Sequence, residues 1–190
     1  LVEYGDSHPP GMSLATFIKR REQIFGLANL AWIDTADDIN WEVGLQGSDK
    51  LSTHWEVHQE MDSIPLTVNN YLRATRGGFD AYSGVFRDLE LMRWQDSGGL
   101  DILPKGIRLA GAFEEAVHDT QYYERRAEFD QAEVISKEIL VEYGARCYLG
   151  GLPSSADCMP TLEILFAFDT DETHPEPKSR GNSLGNMKGT

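Results

Sequence analysis

Residues 97–111, SGGLDILPKGIRLAG, constrain this chain more than any other stretch. A Ser-Gly-Gly turn leads into the apolar run 100–103, which stops at once on Pro104, Lys105 and Gly106. Proline has no N–H to give to a sheet ladder, and glycine weakens a strand interior, so a strand must end here. The next thirty or so residues are rich in glutamate, and residues 127–144 (AEFDQAEVISKEILVEYG) repeat apolar positions at helical spacing. A strand that breaks on Pro-Lys-Gly and hands over to spaced carboxylates suits a pyrophosphate and a hard divalent cation. Such cations take carboxylate oxygens, keep several waters and complete their shell with substrate phosphate.

The flanking patterns predict the rest of the architecture. Upstream, AYSGVF (81–86), LELMRW (89–94) and LDIL (100–103), separated by turns at Arg87-Asp88 and 96–99, predict a small antiparallel sheet. Downstream, Phe129, Ala132, Ile135 and Ile139 predict one helical face, with Gly144 as its stop. ARCYLGGLP (145–153) and TLEILFAFD (161–169) then predict further strands around a Pro/Ser loop. Before the sheet, Ser13 is placed to cap the run LATFIKRREQIFGLANL, whose Leu14, Phe17, Ile18, Ile24 and Phe25 recur near helical spacing, with Gly26 as a weak point. Residues 34–38 read as a helix start or an acidic turn, and 67–75 as a short helix closed by Gly77 and Gly78. The expected organisation is an N-terminal, partly helical extension (1–78), an α+β domain (79–171) and a Pro-, Ser-, Gly- and Asn-rich flexible tail (172–190).

Composition limits the function classes. A formal net charge of -14 argues against sequence-independent nucleic-acid binding, which needs a basic face, although a local basic pocket stays open. No apolar run is long enough to span a bilayer, and the first residues lack the basic and apolar regions of a signal peptide. The expectation is a soluble, cytoplasmic protein with no membrane partner; because it opens on Leu1, an N-terminal piece is expected to have been removed. Cys147 and Cys158 permit a disulfide but are expected to be two buried free thiols.

With these patterns in place, the chain resembles the Nudix hydrolases. Their signature joins an LPxG-type strand end to a glutamate, then Arg-Glu, Glu-Glu and a closing glycine on a helix. SGVF, LELMRW and LDILPKG look like strands leading into the motif, and KEILVEYGA (137–145) looks like its helical end. Glu138 fills the acid of the Arg-Glu slot, with Lys137 in the arginine's place. Glu142 fills the Glu-Glu slot, with Val141 replacing its partner, and Gly144 closes the motif. The segment between Gly106 and the helix is longer than the signature allows, so 109–126 would be an insertion.

The resemblance implies a Nudix-like α/β/α sandwich with a mixed sheet, and Mg²⁺- or Mn²⁺-dependent hydrolysis of a nucleoside diphosphate linked to another moiety. Glu138 and Glu142 would act catalytically and hold the metal, with Glu128, Glu133 or Glu163 as a further acid. The Gly106 carbonyl would add an oxygen ligand and Lys105 would contact a phosphate. The competing expectation is a non-catalytic binding or assembly protein with a Nudix-like or other α+β fold, possible as a homodimer. Residues four apart on a helix do share a face, but glutamates so spaced are usually its solvated side.

Two weaker patterns stand apart. His54 and His58 have the spacing by which one helix offers two imidazoles to a metal, near Glu60; as a strand, the segment would align them with Glu56 and Glu60 instead. Trp32, Trp41, Trp55 and Trp94 could stack on a base, though core packing or an oligomer interface is the commoner use of tryptophan. No nucleophile pattern built on serine or cysteine is present.

Overall fold

A computed structural model describes residues 9–35, 47–71, 78–95, 100–148, 150–151, 155 and 157–166. Helix α1 (Leu14–Thr35) starts as its sequence predicts, because the Ser13 Oγ accepts from the Thr16 N–H at 3.1 Å. It runs unbroken through Gly26, where a side chain would overlap the Leu51 side chain of α2 (Ser48–His58). The glycine is thus a close helix contact rather than a weak point. Strand β1 (Ser63–Pro65) follows; residues 67–71 are not helical, and 36–46 and 72–77 lie outside the described residues.

The run AYSGVF is a helix, α3 (Gly78–Asp88), and not the predicted strand. Phe79, Ser83 and Phe86 fall at helical intervals of four and three, which turns one side inward. Its N-terminus is held from far away. Glu22 of α1 accepts from the Gly78 N–H at 2.9 Å and the Phe79 N–H at 2.8 Å, which satisfies two of the donors a helix start leaves open. The hairpin is as expected: β2 (Met92–Trp94) and β3 (Leu100–Ile102) pair antiparallel, with Met92 opposite Ile102 and Arg93 opposite Asp101.

After β3 come α4 (Pro104–Val117), the short turns α5 (Gln121–Glu124) and α6 (Arg126–Phe129), strand β4 (Val134–Ser136), α7 (Lys137–Cys147) and α8 (Cys158–Phe166). The predicted helix over 127–144 is therefore interrupted. Val134 and Ile135 are β-branched and pair antiparallel with Pro65 and Ile64, so the helix begins only at Lys137. Residues 145–147 and 161–166 are helical rather than strands; a short apolar run alone does not separate the two states.

The described residues are 66% helical and 9% strand, an α+β arrangement in which the sheets are minor. Both ladders among them are two-stranded and antiparallel, so the mixed sheet expected of an α/β/α sandwich is not found there. The main core joins Ile24, Leu27 and Ala31 of α1 to Leu51, Ile64, Ile135 and Leu140, and so draws on both sides of residue 78. A second, smaller cluster sets Ile18 against Phe79 and Met92, docking α3 and the hairpin on the first turns of α1. No helix among the described residues is long and apolar enough to cross a membrane.

Candidate functional site

Pro-Lys-Gly forms the first turn of α4, where proline's fixed φ is already helical and its missing N–H costs nothing. Gly106 sits there because a side chain would overlap the Leu91 carbonyl oxygen and press on Ile102. That same Leu91 carbonyl accepts from the Leu103 N–H at 2.9 Å. The glycine thus lets the helix cross the hairpin's entry strand, and in a regular helix its own carbonyl is taken by the N–H four residues on. Lys105 is exposed and pairs with Glu90 at 2.9 Å.

The candidate metal ligands are dispersed in their contacts. Glu138 is exposed in the first turn of α7, where a carboxylate favours the helix dipole. Glu142, one turn on and half-buried, accepts from the Gln121 N–H at 3.2 Å and so caps the start of α5. Glu128 is exposed and pairs with Arg125 at 2.8 Å. Glu163 pairs with Arg108, and Glu133 is exposed. Among the described residues, no three His, Cys, Asp or Glu side chains are grouped so as to share a metal ion.

His54 and His58 do lie one turn apart on a helix, with ring centroids 4.3 Å apart. Each spends one ring nitrogen on a carbonyl: His54 Nε2 lies 2.8 Å from the Pro65 oxygen and His58 Nδ1 lies 2.7 Å from the His54 oxygen. Burial, and then the neighbouring His58, hold His54 below the ordinary histidine range, against the pull of the Pro65 bond. Its unfolded form therefore binds the proton more readily, so the His54 contribution to stability is complete above about pH 6.5 and fades as pH falls below it. Urea midpoints taken from pH 7.5 to 5 should fall, and the fall should be smaller in His54→Gln. Of the cysteines, Cys147 is buried and Cys158 half-buried, and both are free.

A set of adjoining cavities lies elsewhere, between α1 and α4 among the described residues. One cavity of about 400 Å³ is walled by Phe17, Ile107, Phe113 and Tyr122. A second, of about 370 Å³, opens beside Tyr71 and Tyr82, and Arg21, Glu22, Phe113 and Tyr143 line both. A third, of about 550 Å³, continues past Phe25 and Phe113 to Cys147. The cleft follows from the fold. α1 and α7 close tightly on each other, while the first turn of α4 packs on Leu91 and Ile102 at Gly106.

Two of the ionic groups that line this mostly apolar space, Arg21 and Glu22, are shared by the first two cavities. Arg21 makes a two-pronged pair with Asp130, at 2.7 and 2.9 Å, and Asp130 is fully buried. Its guanidinium also lies 4.9 Å from the centre of the Phe17 ring and 5.9 Å from that of Tyr122. Beside it, burial pushes the Glu22 carboxyl above its ordinary range, although its bonds to Gly78 and Phe79 pull the other way. Burial and the nearby Glu22 charge push the Tyr71 phenol upward in turn. Compared with known protein families, curated proteins and solved structures, the chain matches none.

Sequence reasoning passed over these residues although a signal was present. On a helical wheel Arg21 falls between Phe17, Ile24 and Phe25, so a charge sits inside the apolar stripe of α1. A cation in that position needs a buried partner, and Asp130 supplies it from 109 residues away. Chemically the cleft offers rings, apolar walls and a half-buried carboxylate.

Proposed function

We propose that this chain is a binding protein whose ligand is small, largely apolar and seated in the cleft between α1 and α4. The observation that carries this reading is the convergence of Arg21, Glu22, Phe113 and Tyr143 on two adjoining cavities of about 400 and 370 Å³. Ligand pockets are typically concave spaces of roughly 300–1,000 Å³, mostly apolar, with a few polar groups that fix orientation. Two of the groups whose ionisation burial shifts, Glu22 and Tyr71, border the second cavity, as expected where function shifts ionisation.

Gly111 provides the test. It lines the first cavity, lies on the exposed side of α4, and a side chain built there meets no atom within 4 Å. Gly111→Phe should fill the cavity without disturbing the core. The neutral fluorescent probe N-phenyl-1-naphthylamine should brighten on binding the wild type and should lose that signal with Gly111→Phe, while the thermal melt of the variant is unchanged or raised. Equal brightening in both proteins would remove the cleft from consideration.

A second reading, a Nudix-like domain performing Mg²⁺- or Mn²⁺-dependent hydrolysis of a nucleoside-diphosphate derivative, has one observation in its favour. Glu138 and Glu142 stand four apart on one continuous helix, as that signature requires. Turnover of dinucleoside polyphosphates, ADP-ribose or nucleotide sugars with Mg²⁺, lost in Glu138→Gln, is its expected result. Turnover indifferent to that change removes it.

A further inference from the structure

The second cavity is specific about charge. Phe25, Tyr71, Tyr82, Phe113 and Tyr143 surround it, and the half-buried Glu22 stands among them. We propose that this cavity takes an alkylated organic ammonium ion, its cationic head among the rings beside Glu22. This rests on the reading of the cleft as a ligand site.

The argument is one of compensation. Glu22 spends one lone pair of each oxygen on the Gly78 and Phe79 N–H groups, and each carboxylate oxygen retains further acceptor capacity. Any ligand that fills the cavity strips more water from this carboxylate. A neutral ligand leaves that desolvation uncompensated, an anion adds repulsion, and a cation offsets it. Arg21 lines the same space, but its guanidinium is committed to both oxygens of Asp130. Of the charged side chains that line the cavity, Arg21 is thus neutralised by Asp130, and Glu22 faces the space with no cation bonded to its oxygens in the cavity wall.

Aromatic faces attract cations through the ring quadrupole and are the usual lining for quaternary ammonium groups. A primary ammonium needs three acceptors in a fixed arrangement, whereas an alkylated nitrogen is held by ring faces and a single nearby carboxylate, so alkylation on nitrogen fits an aromatic wall better. The whole molecule favours the same sign, because its net charge of -14 raises the local concentration of cations.

Benzyltrimethylammonium and its uncharged carbon counterpart, neopentylbenzene, share a shape and differ in charge. In competition against N-phenyl-1-naphthylamine, the cation should bind at least tenfold more tightly to the wild type. Glu22→Gln, which keeps an acceptor for the α3 amides, should erase that preference while neopentylbenzene keeps its affinity. Tyr82→Leu, at a partly exposed ring outside the main core, should reduce the preference in a protein that folds normally. If both compounds displace the probe with equal affinity, the cleft is a binding site and the cation assignment is overturned. If neither displaces the probe, the cation assignment falls while the cleft still binds; if the probe itself does not bind, both readings fall together.

Discussion

Gly144→Ala is expected to destabilise this protein by about 3 kcal/mol or more, the upper range for forcing atoms into a packed core. A methyl on Gly144 would overlap the Ala28 carbonyl oxygen and lie 2.8 Å from its carbon and 2.9 Å from Trp32 Cβ. None of these atoms can rotate away, so α1 and α7 would have to separate along the most extensive contact between elements among the described residues. Against this, alanine in a helix interior is better than glycine by only about 1 kcal/mol. The control is the same change at Gly111 of α4, where nothing lies within 4 Å. There the propensity gain stands alone, and Gly111→Ala should stabilise by about 1 kcal/mol. Urea denaturation of both variants should move the midpoints in opposite directions. A Gly144→Ala midpoint at or above wild type would mean that the two helices can part at little cost.

The same glycine shows what the sequence could and could not convey. It reads as a helix stop because glycine is common just past a helix end, yet α7 runs through it to Cys147. Its reason for being there is an atom of Ala28, more than a hundred residues earlier. Features set by near neighbours were legible: the Ser13 cap, the long α1 and the β2–β3 hairpin each follow from residues a few positions apart. Features set at a distance were not. α3 reads as a strand until Glu22 is seen to cap it, and 134–136 read as helix until Ser63–Pro65 is seen to pair with them. The Pro-Lys-Gly break was located correctly as the end of a strand, but it opens a helix and supports a backbone crossing. In the candidate site, Glu138 and Glu142 were correctly placed on one helix. The cleft was hidden, since its walls come from α1, α2, α3, α4, α5, α7 and Tyr71 and have no common sequence spacing.

Arg21→Ala is the second change expected to have a large effect, because it strands a carboxylate in the core. The Asp130 side chain has no exposure and Arg21 retains 20%. Breaking a buried pair by removing one partner typically costs about 3–5 kcal/mol, whereas replacing both by apolar groups of similar size is often nearly neutral. Arg21→Ala should therefore lower the unfolding free energy within that range. Asp130→Leu alone should cost less, since the long arginine can lift its head toward solvent through the cleft. The double variant Arg21→Met with Asp130→Leu should recover most of the loss, and with the single variants Arg21→Met and Asp130→Leu it closes a cycle whose departure from additivity measures the coupling. If Arg21→Met, which keeps an apolar stem but orphans the same carboxylate, is as stable as wild type, the loss in Arg21→Ala comes from the packing of the arginine stem and not from the orphaned charge. The double variant also separates stability from recognition. It removes one charge of each sign and leaves Glu22 in place, so the preference for benzyltrimethylammonium over neopentylbenzene should survive in a protein without the buried pair.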